Sequence, residues 1–135
     1  MASKQTGFAR WADAYAQPDS RAWRAIEREV IGANVGANGY TTVAQAEQLA
    51  GRLALGPGAR LLDVGAGRGW PGLYLAERTG CDVVVTDVPA AGLRDAFART
   101  RRSRLARRAS FARASGAKLP FRPRTFDAVV HTDVL

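Results

Sequence analysis

Residues 61–72 read LLDVGAGRGWPG, a short apolar run that breaks into glycines and resumes as an amphipathic stretch. This strand–turn–helix signal constrains the fold more than any other feature of the chain. Glycine tolerates the backbone of a tight turn and lets a ligand approach the main chain, and a following helix N-terminus offers unpaired N–H groups. Pro71 suits a first helical position, where its missing N–H would have no partner anyway. Two glycine frames overlap: Asp63 with Gly65, Gly67 and Gly69 spells D-x-G-x-G-x-G, while Gly67, Gly69 and Gly72 spell G-x-G-x-x-G.

Around this turn the chain divides into two regions. Residues 1–55 form a helical lid or cap segment, and residues 56–135 an α/β domain. Phe8, Trp11 and Tyr15 share one helical face, and Pro18 interrupts it. Asp19 or Ser20 can cap a second helix carrying Trp23, Ile26 and Val30. GANVGANG (32–39) reads as a flexible glycine-rich loop, and Thr42 with Gln45 forms a capping box. The helix beyond it turns Val43, Ala46, Leu49, Ala50 and Leu53 to one side. From residue 60, short β-rich runs alternate with helices: RLLDV, CDVVVTD, ASFARA and FDAVVHT as strands, PGLYLAERTG and AGLRDAFART as helices. That alternation predicts a Rossmann-like parallel sheet with flanking helices, whose ligands bind beyond the carboxyl ends of the strands.

Composition removes several classes. The 135 residues, 47% hydrophobic, suffice for one domain with a modest core. No run nears the roughly 18 apolar residues of a membrane span. The start MASKQTGFARW has no apolar signal core, so a cytoplasmic protein is expected. One cysteine, Cys81, and one histidine, His131, leave neither an internal disulfide nor a Cys- or His-based metal site. The net charge of +8 is concentrated: residues 94–124 hold eleven Lys/Arg against one acid. That segment is either the solvated face of an arginine-rich protein or a patch for phosphates, which would make the chain a basic nucleic-acid-binding module.

Asp63 separates the two glycine frames. A dinucleotide brings a pyrophosphate, which a carboxylate beside the loop would repel, whereas the ammonium and sulfonium of S-adenosylmethionine would be attracted. Asp63 could instead only cap the loop. Asp87, twenty residues after Gly67, fits a ribose acid in either frame or a turn residue before Pro89, so an NAD(P)-dependent oxidoreductase stays as an alternative.

Three segments in order, LLDVGAGRGWPGLYLA, VVVTDVP and SGAKLPFRPRTFDAVVHTDVL, resemble the class I S-adenosylmethionine-dependent methyltransferases, over roughly residues 40–135. The resemblance implies that Gly65, Gly67 and Gly69 wrap the methionine end of the cofactor, with Asp63 shaping the loop. It implies that Asp87 accepts from both ribose hydroxyls and that Val88 lies against adenine. Ser115, followed by Gly116, stands where many members have an acid on the adenine amino group. Asp133 falls where the family often faces the methyl group, and His131 is a candidate general base or a structural strand residue. Tyr40 and Thr41 could touch the cofactor, and Trp11, Tyr15 and Trp23 could line an acceptor pocket or simply pack. The acceptor is expected to be a small molecule, although the basic segment also suits RNA. The family's sheet continues beyond its fourth strand, where this sequence stops. The fold is therefore expected to be incomplete, with an open edge for a second copy or a partner chain.

Overall fold

A computed structural model of the chain describes residues 7–16, 20–37 and 39–133; the side chains of Phe8 and Trp11 fall outside the description, as do Pro18, Asp19 and Asn38. Four parallel strands, β1 (Arg60–Val64), β2 (Asp82–Asp87), β3 (Ala109–Arg113) and β4 (Ala128–Val130), lie in the order β3-β2-β1-β4. Helix α4 (Gly72–Thr79) carries the chain from β1 to β2, and α5 (Ala90–Thr100) from β2 to β3. The chain then returns past β2 to place β4 on the other side of β1. Strand order reverses there, and the crevice above β1 and β4 is where such sheets hold ligands.

Three helices precede the sheet: α1 (Gly7–Ala16), α2 (Arg21–Ile31) and α3 (Val43–Leu53). Ser20 caps α2 by accepting from Trp23 N at 3.1 Å. Thr42 and Gln45 make the expected capping box at the start of α3. Helix α3 packs on α4, and α1 on α5. The main core forms where α4, α5 and the sheet meet, with Leu61, Leu75, Cys81, Val83 and Val85 essentially sealed from solvent. Ala46 is fully buried in α3, while Val43, Leu49, Ala50 and Leu53 are half-buried around it.

One feature of the N-terminal region differs from the sequence reading. Trp23, Ile26 and Val30 do share one face of α2, but that face is exposed, and the helix buries Glu27 and Ile31 instead. Glu27 turns inward because its carboxylate has partners there: Oε1 accepts Val35 N at 3.0 Å and Ala37 N at 2.7 Å. These bonds hold Val35 and Ala37 of the glycine-rich segment to α2. Its buried donors are satisfied by a charged acceptor, which is a strong class of hydrogen bond.

Candidate functional site

The site is built at the carboxyl ends of β1 and β2. After Val64 the chain turns through Gly65, Gly67 and Gly69, whose φ values are 70°, 56° and 92°. All three lie in the left-handed region where glycine carries no side-chain penalty. Gly72 does not, so its requirement is different. The turn is closed internally: Ala66 N donates to Thr86 O at 3.0 Å, and Gly69 N to Ala66 O at 2.8 Å.

Asp63 sits under this turn, 1% exposed, near the carboxyl end of β1. Its Oδ2 accepts Gly72 N at 2.7 Å, so the acid both ends the strand and caps α4. Gly72 has to be glycine because a Cβ there would lie 2.5 Å from Asp63 Oδ2. Asp63 Oδ1 is buried without a hydrogen-bond partner among the described residues. Burial pushes the Asp63 carboxyl well above the usual aspartate range; the Gly72 N–H opposes this and the charge of Asp87 adds to it.

Asp87 closes β2 with Oδ2 accepting Gly67 N and Oδ1 accepting Val88 N, both at 2.7 Å. It is half-buried, and burial raises its carboxyl too, against the lowering effect of those two bonds. Each oxygen engages one N–H and keeps capacity for another donor, since a carboxylate offers about four lone-pair positions. Val88 is half-buried beside it. Gly116 reaches the end of β1, where a Cβ on it would be 3.0 Å from Val64 Cγ1, and Ser115 Oγ accepts Ala117 N at 3.2 Å. The structure thus brings Asp63, the three glycines, Asp87, Val88 and the Ser115–Gly116 turn to one end of the sheet.

After β4 the chain makes contacts with the segment before α3. Asp133 Oδ2 accepts from Thr41 N at 3.1 Å and Thr41 Oγ1 at 2.8 Å, and Trp70 Nε1 donates to Thr41 O at 2.8 Å. Asp133 therefore anchors the segment before α3, and Thr41 is buried by these contacts. Tyr40 is 84% exposed and His131 is exposed as well.

Four residues, Tyr15, Arg68, Arg99 and Arg108, make contacts that the sequence reading did not specify. Tyr15, considered there for an acceptor pocket, instead lies half-buried over the glycine turn: a Cβ on Gly67 would be 2.5 Å from its hydroxyl. Burial, then the charge of Asp87, pushes that hydroxyl up to about 12. Arg68 holds its guanidinium 5.9 Å from the Tyr15 ring centroid and donates to Tyr15 O at 3.1 Å. Arg99 and Arg108, both in the basic segment, turn to internal carbonyls. Arg108 Nη1 donates to Ala76 O and Cys81 O at 2.8 Å each, and Arg99 Nη1 to Val35 O at 2.8 Å. The spacing of Asp95 and Arg99, one helical turn apart, was the available sequence signal.

A family model described as a methyltransferase domain matches residues 61–135. The methyltransferase GfsG of Streptomyces halstedii is 39% identical over 83 residues, which are 62% of this chain and 30% of that protein. Among solved structures, geranyl diphosphate methyltransferase in complex with SAM matches with a TM-score of 0.65 at 26% identity, over 88% of this chain and 46% of that one. A SAM-dependent methyltransferase from Thiobacillus denitrificans, in complex with S-adenosyl-L-homocysteine, gives a TM-score of 0.65 at 19% identity, over 87% of this chain and 45% of that one. At that identity the likeness is one of fold. The chain thus spans less than half the length of each of these proteins. The family match runs through β1, the glycine turn, Asp63 and Asp87, and takes in more than half of the sequence. On those strands and that turn, this chain belongs to the methyltransferase-domain family.

Proposed function

We propose that the chain is the cofactor-binding portion of an S-adenosylmethionine-dependent methyltransferase acting on a small-molecule acceptor. The observation that carries the reading is the pair of acids beneath and beside the glycine turn. Asp63 is sealed in with one oxygen that has no partner among the described residues, and Asp87 holds the turn from β2. A cationic ligand offsets the desolvation that raises both carboxyls, whereas a pyrophosphate would add to the repulsion. This disfavours the nicotinamide reading. The residues therefore fit the cofactor: the backbone of Gly65, Gly67 and Gly69 would hold its amino-acid end, Asp87 its ribose hydroxyls, and Val88 with Ser115 and Gly116 its adenine. S-adenosylmethionine supplies an electrophilic methyl group on sulfur. The protein's part is to orient the acceptor and exclude water, and no covalent nucleophile is needed.

In this reading residues 1–55 act as a lid, with Tyr15 and Thr41 bearing on the site and Asp133 holding the lid segment at the end of β4. Support for a small acceptor comes from the relative named for geranyl diphosphate. An RNA acceptor draws less support, because Arg99 and Arg108 are spent on internal carbonyls. Val129, 55% exposed on a strand with no outer neighbour among the described residues, supports coverage of that edge by a second copy or another chain. A lone buried cysteine suits a cytoplasmic setting.

The test is calorimetric titration of Asp87→Ala and Asp87→Asn with S-adenosylhomocysteine. Asp87→Ala is expected to weaken binding by about 1.5–3 kcal/mol, the range for a charged hydrogen-bond partner. Asp87→Asn, which keeps one acceptor, is expected to lose less. An unchanged Kd in both variants would remove Asp87 from the site.

A further inference from the structure

One guanidinium joins three parts of the molecule around the glycine turn, and a second extends the link to α1. Arg99, in the last turn of α5, donates through Nη1 to Val35 O at 2.8 Å and through Nη2 to the carbonyl of Arg68. Its Nε lies 3.5 Å from Asp95 Oδ2, and the same oxygen lies 3.5 Å from Arg68 Nε. Arg68 in turn holds the end of α1 through Tyr15 O. The lid segment makes room for this arrangement at Gly36: a Cβ there would lie 2.8 Å from Arg99 Nη2, and its φ of 74° already favours glycine.

The carbonyl that Arg99 engages belongs to the residue between Gly67 and Gly69. Its peptide plane is held from the other side too, because Gly69 N donates to Ala66 O at 2.8 Å. A turn of left-handed glycines has many accessible backbone states, and holding a peptide at both ends removes most of them. A planar fork with fixed donor directions can serve two carbonyls and a carboxylate at once, which a lysine ammonium on a flexible stem does poorly. The lid segment is fixed independently at Glu27 and at Asp133, and Trp70 Nε1 ties Thr41 to the end of the turn, while Arg99 couples the segment to the Arg68 carbonyl within the turn.

We propose that Arg99, oriented by Asp95, is a positioning residue: it clasps the lid segment at Val35–Gly36 to the glycine turn and thereby slows release of the bound nucleoside cofactor. The proposal rests on the cofactor reading above. If clasped and unclasped states exchange in the complex, losing the clasp raises the fraction from which ligand leaves, so dissociation quickens and affinity falls.

The experiment measures the Kd and dissociation rate of S-adenosylhomocysteine, together with amide exchange of Val35 and Ala37 in the ligand-free chain. It compares wild type, Arg99→Ala, Arg99→Lys, Gly36→Ala and, as a control, Arg104→Ala at an exposed position of the same basic segment. Arg99→Ala is expected to bind about tenfold more weakly, mostly through faster dissociation, with faster exchange at both amides. Arg99→Lys is expected to restore little, Gly36→Ala to act in the same direction by displacing the fork, and Arg104→Ala to match wild type. A purely structural role would lower the melting temperature of Arg99→Ala without changing the dissociation rate from the folded protein. That result, or full rescue by lysine, overturns the proposal. Should Arg99→Ala fail to fold, Arg99→Lys and Gly36→Ala give the same reading. Wild type that binds no S-adenosylhomocysteine would sink the cofactor reading, whereas binding unaltered across the Arg99 and Gly36 variants sinks the clasp alone.

Discussion

Gly72→Ala is expected to destabilise the fold by about 3 kcal/mol, the combined cost of overpacking and of disturbing a buried hydrogen bond. In a helix, alanine is ordinarily better than glycine by up to about 1 kcal/mol. Here the added methyl would stand 2.5 Å from Asp63 Oδ2 and 2.7 Å from Asp63 Cβ. Asp63 cannot yield, because β1 is paired on both sides, with Asp63 opposite Val85 and Val130. Displacing α4 instead breaks the 2.7 Å bond from Gly72 N to Asp63 Oδ2. Gly51→Ala is the matched control, since nothing lies within 4 Å of a Cβ at that position of α3. That variant is expected to gain about 0.5–1 kcal/mol. Urea unfolding of both variants decides the matter; equal midpoints would contradict the packing of Asp63 against Gly72.

The second large effect is on pH dependence. In the unfolded chain Asp63 ionises near about 3.9, and in the fold burial holds its proton to higher pH. Between those two values the folded protein binds more protons than the unfolded one, so stability falls as pH rises. The contribution is complete below the unfolded value and is lost as pH passes through the raised folded value, with a slope of up to about 1.4 kcal/mol per pH unit for one proton. Asp87, whose carboxyl is also raised, adds a smaller slope of the same sign. Asp63→Asn keeps an oxygen for Gly72 N and has no proton to lose, so its stability profile is expected to be flatter than that of wild type above about pH 4. Chemical denaturation at a series of pH values measures the difference, and parallel profiles would show that Asp63 ionises as readily in the fold as in the unfolded chain. A bound cation beside Asp63 is expected to reduce the wild-type slope, because it favours the ionised form.

The sheet and its turn were legible because local pattern determines them. RLLDV, 60–64, is a strand that stops at the first glycine demanding a left-handed backbone, and the structure places β1 on those residues. Asp63 could be picked out because a carboxylate inside an apolar run has few reasons to be there. What stayed hidden depends on contacts between distant residues. Thr41 meets Asp133 across 92 positions, and Arg99 meets Val35 across 64. Periodicity placed Trp23, Ile26 and Val30 on one face of α2 but had no means of telling which face the protein covers. Glu27 decided that, because two backbone N–H groups of the following loop needed an acceptor. The roles within the basic segment were hidden for a related reason: net charge does not distinguish an arginine facing solvent from one bonded to carbonyls, as Arg108 is.

On this reading, the two acids around the glycine turn select a nucleoside bearing an ammonium group over a dinucleotide bearing a pyrophosphate. Parallel calorimetric titrations with S-adenosylhomocysteine and with NADH test it most directly. Saturable binding of S-adenosylhomocysteine and none of NADH is the predicted result. Saturable binding of NADH alone would contradict the account.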